Sequence, residues 1–303
     1  MNIFAITASF LVAFVYIVFI RLLDIFEREP LKYTLLCFVL GMVFLYLLWP
    51  LHLIFPFVDE IEKGNTFSER FYFHFLAVAW LEEIVKILPF LVMLSFKNAI
   101  NESFDYLKYA SIGALGFATI ENIQYFNNHG IHIIEGRAFY TAILHMFTSS
   151  LIGYLLFVNK SKFKLPSILP FLFGYIIAVL VHALFNALVS GELTYYLGTF
   201  MVLLLLVIWG RMFNNTLNHS EFFHHNGSQK DIFKACAFLV IGWASIFVFA
   251  AFAISQTEGW QEGWRFAREG IVFGISSLLA LLFTVGTPKL NQGSWRSLYK
   301  RKG

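Results

Sequence analysis

Charged residues are scarce in this chain, at 14% of its 303 residues, whereas an average soluble domain carries about 25%. With 58% hydrophobic residues and 37 phenylalanines, that deficit excludes a soluble globular protein and leaves a polytopic membrane protein. Cysteine is nearly absent: Cys37 and Cys236 both fall in apolar runs and cannot build a disulfide framework or, alone, a zinc site. They read as small buried hydrophobes. There is no internal repeat, phosphate loop, low-complexity tract or soluble domain. The net charge of +3 comes mostly from the loops expected on the cytoplasmic side, so it implies no nucleic-acid partner. No lysine or arginine precedes the first apolar run and no small-residue cleavage pattern follows it. That run is expected to be a retained helix and not a signal peptide.

What is present is a series of apolar stretches long enough to span a bilayer, at about 2–20, 34–56, 71–96, 109–126, 138–158, 167–189, 193–210, 233–254 and 270–287. The expected fold is therefore all-α, a polytopic transmembrane bundle of about nine spans in the cell membrane. Basic residues orient it. With the N-terminus outside, sixteen lysines and arginines fall in inner loops and the C-terminal tail, five in outer loops, and Lys86 within a span. The sequence thus predicts N-terminus out and C-terminus in.

The third span holds the costliest residues. Glu82, Glu83 and Lys86 interrupt an apolar run whose other ionisable group is His74, and each charge near a bilayer centre costs about 2.5–3.5 kcal/mol even on the lenient scale. On a helix Glu82 and Lys86 lie one turn apart and are expected to pair. Glu83, about 100° away, is expected to be left without that partner, which a purely structural ion pair does not explain. The remaining intramembrane groups are Glu121, His145 and His182. The histidines sit on stripes of small and polar residues, Thr141, His145, Ser149 and Gly153 and then Gly174, Ala178, His182, Asn186 and Ser190, and Glu121 lies beside a third, Ala110, Ala114, Ala118 and Asn122. Such stripes mark helix contacts in lipid. At 1.5 Å per residue the four spans place these groups roughly 8–17 Å below the outer surface, so one shared polar cavity is expected.

The chemistry open to that cavity is limited. No His-Glu-x-x-His helix, Gly-x-Ser-x-Gly turn or pair of intramembrane aspartates is present, and the pattern of a di-iron bundle is missing too. A desolvated glutamate can act as general base toward water, with histidines stabilising an oxyanion and protonating a leaving amine. The same carboxylates and histidines can instead hold a divalent metal such as zinc. The preferred reading requires no cofactor, with Glu83 as base because Glu82 is the expected partner of Lys86. His219, His224 and His225 lie in a polar loop that fixes no ligand geometry, and read as solvated.

Taken in order, Glu82-Glu83-x-x-Lys86, Gly116-Phe117-Ala118-Thr119-Ile120-Glu121-Asn122, His145 and His182-x-x-x-Asn186 resemble the motifs of the PrsW family of intramembrane proteases. The elbow Asp24-x-x-Glu27-x-Glu29-Pro30 is similar to that family's first inter-helix segment. The family sits in the wider superfamily of prenyl-protein (CAAX) and bacteriocin-immunity-type peptidases, which carry arginine where this chain has Lys86. The resemblance covers roughly 15–190 and implies a protease core over 1–190; the apolar runs and charge leave three further spans and a basic cytoplasmic tail over 191–303. It implies Glu82, Glu83, His145 and His182 as catalytic, with Lys86, Glu121, Asn122 and Asn186 supporting. It also implies site-one cleavage of a single-pass membrane protein, such as an anti-sigma factor, near the extracytoplasmic face. A non-catalytic scaffold of the same fold and a proton-coupled transporter remain alternatives, since both tolerate intramembrane Glu and His.

Overall fold

The structure is a computed structural model and describes residues 2–224, 228–285 and 290–295. His225 and the basic tail residues Lys289, Arg296, Lys300, Arg301 and Lys302 lie outside the described residues. Among those described, the chain is helical, with no strand. Its helices are α1 (Ile3–Leu23), α2 (Leu31–Phe44), α3 (Leu48–Ile54), α4 (Phe67–Phe73), α5 (Trp80–Met93), α6 (Ser103–His129), α7 (Ala142–Val158), α8 (Ile168–Val189), α9 (Tyr195–Asn218), α10 (Ser228–Glu258) and α11 (Trp260–Val285). π-helical turns over His74–Ala79, Gly136–Thr141 and Asn159–Phe163 join α4 to α5, lead into α7 and follow α7. Such turns are rare and frequent at functional sites.

Six stretches are long and apolar enough to cross a membrane by length and composition: Ile3–Leu23, Leu31–Ile54, Ile131–Phe163, Ile168–Val189, Tyr195–Asn218 and Gln229–Glu258. Of the other three expected spans, two carry the ionisable residues. The third span is split into α4, a π segment and a 14-residue α5 holding Glu82, Glu83 and Lys86. The fourth, 109–126, holds Glu121 and lies within the longer α6, which adds Asp105 and Lys108 before it.

Local sequence sets the helix ends. Asn2 caps α1 through its side chain on the Phe4 amide, 3.0 Å. Thr66 and Glu69 form a capping box at α4. The Thr66 amide and hydroxyl on Glu69 hold that carboxyl below the ordinary range. α6 stops at Gly130, whose φ of +80° suits glycine and ends the helix.

The chain divides into two compact units. One draws its described residues from Glu29–Phe117 and Leu144–Leu205. Here the helices approach through glycine. A Cβ on Gly41 of α2 would fall 2.1 Å from the Gly113 carbonyl oxygen, and one on Gly116 would fall 2.1 Å from that of Phe38. Gly153 of α7 likewise faces the Tyr106 carbonyl, and Gly174 of α8 faces Ile152. The small-residue stripes of α7 and α8 are thus partly backbone contacts. Pro89, inside α5, packs its ring on Gly113.

The other unit draws on Met1–Arg28, Ala118–Ile143 and Leu206–Gly303. Here α10 packs on α1 and α11, Tyr16 donates to the Ala138 carbonyl at 2.9 Å, and the Phe139 ring lies 3.9 Å from that of Trp243. His219, from the polar loop, is held by the Asn215 carbonyl at 2.8 Å.

Gly41→Val would push α2 off α6, because the clash is with backbone. It is expected to lower the melting temperature of the detergent-solubilised protein by several degrees. Gly136→Ala, where a Cβ meets nothing within 4 Å, should leave it unchanged in the same thermal scan.

Candidate active site

Helices α5, α7 and α8 of the first unit bring together Glu82, Glu83, Lys86, His145 and His182. The Lys86 ammonium is fully buried and lies 2.6 Å from Glu83 Oε1, 2.8 Å from His145 Nδ1, 3.2 Å from His182 Nδ1 and 3.9 Å from Glu82 Oε2. It also stands 5.5 Å from the centre of the Phe117 ring. The two imidazoles meet edge to face, centroids 5.4 Å apart.

The pairing of Lys86 with Glu82 exists but is the longer contact. The expectation that Glu83 would lack the lysine is corrected: the 2.6 Å partner is Glu83. Residues three apart share a helix face as well as those four apart, and here the i,i+3 pair faces inward. The Glu83 side chain is 0% exposed and that of Glu82 15%, so Glu82 is the carboxylate nearer to water.

Proton positions follow from the contacts. A carboxylate only accepts, so His182 Nδ1–H donates to Glu83 Oε1 at 2.8 Å. The lone pair on His182 Nε2 is then presented toward Glu82 Oε2, 3.7 Å away. Lys86 donates to His145 Nδ1, so neutral His145 carries its proton on Nε2. The two histidines therefore hold opposite tautomers, one with a basic Nε2 and one with an Nε2–H donor. The Thr148 hydroxyl, one turn after His145, lies 3.2 Å from both Glu83 Oε1 and the His145 carbonyl, so its single hydrogen is shared between them. Sequence reasoning missed it, although its i+3 spacing from His145 was the available signal.

Donor atoms of Glu82, His145 and His182 lie within 4.8 Å of one another, and form the one such group among the described residues. One carboxylate with two imidazoles is a set that catalytic zinc uses. The residues fit in kind and proximity, with one condition: His145 Nδ1 is engaged by Lys86, so His145 would ligate through it only by releasing that contact.

The supporting residues divide. Asn186 is half-buried one turn past His182 on α8. Glu121 and Asn122 belong to the other unit and serve Arg137 there. Its Nη2 lies 2.7 Å from Glu121, its Nε donates to Asn122 Oδ1 at 2.7 Å, and its guanidinium covers the Tyr125 ring at 4.0 Å. Arg137, expected in an outer loop, is in fact buried. The cost of an intramembrane Glu121 without a counter-charge was the signal for it.

Glu83, Lys86, His145 and His182, buried among apolar helices beside the less buried Glu82, form one charged cluster in this unit. The sequence profile described as PrsW family intramembrane metalloprotease matches residues 29–211, and the chain belongs to that family. It is 30% identical to Protease PrsW of Bacillus subtilis (strain 168) over 192 residues, covering 60% of this chain and 81% of the relative. Against Protease PrsW of Geobacillus kaustophilus it is 28% identical over 185 residues, covering 60% and 78%. With the protein of that name from Clostridioides difficile, identity is 28% over 200 residues, covering 63% and 80%. No solved structure matches the chain significantly. The protein is a multi-pass membrane protease.

Removing Lys86 alone would strand Glu83 in a dry interior. Lys86→Met is expected to cost about 3–5 kcal/mol of stability, measured by denaturant unfolding in detergent. Adding Glu83→Gln should recover a substantial part of that loss.

Proposed function

We propose that the protein hydrolyses a peptide bond of a single-pass membrane protein, such as an anti-sigma factor, near the extracytoplasmic face. The observation that carries the reading is the placement of His182 Nδ1 against Glu83 and of His145 Nδ1 against Lys86, beside a partly exposed Glu82. In this reading Glu82 takes a proton from water as the oxygen attacks the carbonyl. His145 Nε2–H supports the oxyanion and then protonates the leaving amine, while Glu82 returns its proton to His145. His182 Nε2 orients the water beside Glu82. Glu83, first preferred as base, is reassigned as the buried anchor that sets His182 and Lys86, because its Oε1 is engaged by both and its side chain, with the unpartnered Oε2, is 0% exposed. Asn186, Glu121 and Asn122 stay in supporting roles.

A second reading is favoured by the proximity of the Glu82, His145 and His182 donors and by the family's description as metalloproteases. When bound there, a divalent ion such as zinc supplies Lewis-acid polarisation of the carbonyl and a more acidic water.

The proposal retains nine spans with the N-terminus outside, a protease core over 1–190, and 191–303 as added spans and tail. Sixteen basic residues against five support that orientation. It directs α5 and α8 so that the site lies in the outer half of the membrane and draws water from that side.

Reconstituted with candidate single-pass substrates, the wild type should yield cleaved fragments. Glu82→Gln should lower kcat by at least 100-fold. Chelator-treated enzyme should still cleave on the first reading; loss restored by one equivalent of zinc selects the second. Mass spectrometry of fragment termini should place the cut in the extracytoplasmic half of the substrate helix. A cut in the cytoplasmic half overturns the placement.

A further inference from the structure

Beyond the reacting groups, the first unit holds a buried imidazole to which nothing above gives work. His74 lies in the π segment before α5 and is 8% exposed. Its Nε2 is 3.1 Å from Ser190 Oγ, just past the end of α8. The Ser190 hydroxyl donates its single hydrogen to the Asn186 carbonyl at 2.6 Å, so it can only accept from His74. Neutral His74 therefore carries its proton on Nε2, and Nδ1 is a bare acceptor. That Nδ1 is buried and has no hydrogen-bond partner. Buried polar atoms left unpaired are few in folded proteins, and each costs about 1–3 kcal/mol.

The π turns decide where this acceptor stands. In an unbroken α-helix, eight residues at about 100° each would set His74 about 80° around the helix from Glu82. Wider turns of about 4.4 residues over His74–Ala79 remove roughly 90° and return His74 to the face of Glu82. On α8, His182, Asn186 and Ser190 follow at four-residue spacing, in the same axial direction as Glu83 to His74. The result is a polar track leaving the reacting groups toward one end of the unit. Its four-residue step of about 6 Å nearly matches the two-residue repeat of an extended peptide, about 6.6 Å.

We propose that this track binds the unwound backbone of the substrate, with His74 Nδ1 accepting one amide N–H. This rests on the protease reading and adds where the substrate lies. An intramembrane protease must open its substrate's helix, and each freed N–H then needs an acceptor where water is excluded. Eight residues of helix, roughly 12 Å, correspond to three or four residues of extended chain at about 3.3 Å each. The amide recognised is thus three or four residues from the scissile bond, on the side toward the His74 end.

The test uses the full-length enzyme in proteoliposomes and a synthetic single-span peptide that it cleaves, prepared as a series with one backbone amide at a time replaced by an ester. For wild type, one ester three or four residues from the cut should lower kcat/KM about tenfold, mainly through KM, with its neighbours changing it less than twofold. His74→Phe should lose about tenfold on the all-amide peptide and be indifferent to that ester. His74→Gln, which keeps an acceptor, should recover part of the loss, and Ser190→Ala should retain sensitivity to the ester. A flat ester profile in the wild type overturns the proposal whether or not the variants fold. So do additive losses in folded His74→Phe. Wild type that cleaves no single-span peptide overturns the protease reading itself, a separate outcome.

Discussion

One ammonium group in a dry interior governs the site. Lys86 has no water to solvate it, so its three N–H groups must be met by protein. Glu83 Oε1 and His145 Nδ1 accept from it at 2.6 and 2.8 Å, while the protonated His182 Nδ1 stands 3.2 Å away and turns to Glu83. Satisfying the lysine fixes the rest: Glu83 is drawn inward, His145 is turned to present Nδ1 to the ammonium, and His182 is left to Glu83. Proton placement on both imidazoles is then a consequence of charge neutralisation. Removing water makes this network expensive to assemble and, once complete, resistant to rearrangement.

Much of this was legible because lipid makes polar residues conspicuous. Glu82, Glu83, Lys86, His145 and His182 stood out as costly in apolar runs, and the structure brings them together. What could not be read was which side of α5 faced α7 and α8. A spacing of three and a spacing of four are both neighbours on a helix, and the choice between Glu82 and Glu83 depends on where the histidines lie in three dimensions. Thr148 was hidden for a different reason, since a hydroxyl in a membrane helix can satisfy itself on its own backbone and raises no alarm. Arg137 was misplaced because a charge close to a span end looks like a loop charge until its partner on another helix is known.

The π segments were likewise invisible in the sequence. Nothing in His74–Ala79 or Gly136–Thr141 distinguishes their residues from ordinary helix formers. A π turn is imposed by what the residues beyond it must reach. Both segments precede a helix that contributes to the charged cluster, α5 with the glutamates and α7 with His145. The absence of His-Glu-x-x-His, which argued for a site without metal, has limited reach for a similar reason. Ligands drawn from α5, α7 and α8 leave no compact spacing in any one of them.

The glycine contacts have a consequence for how a substrate reaches the reacting groups. A second helix needs a gap of some 8–10 Å between axes to slip sideways out of the lipid. At Gly41 and Gly113 the backbones of α2 and α6 already touch, as do those of α6 and α7 at Gly153, and α7 and α8 are closely packed at Gly174. Those three seams are closed to a transmembrane segment unless the unit comes apart. A transmembrane segment approaching from the lipid therefore finds no entrance at any of those three seams.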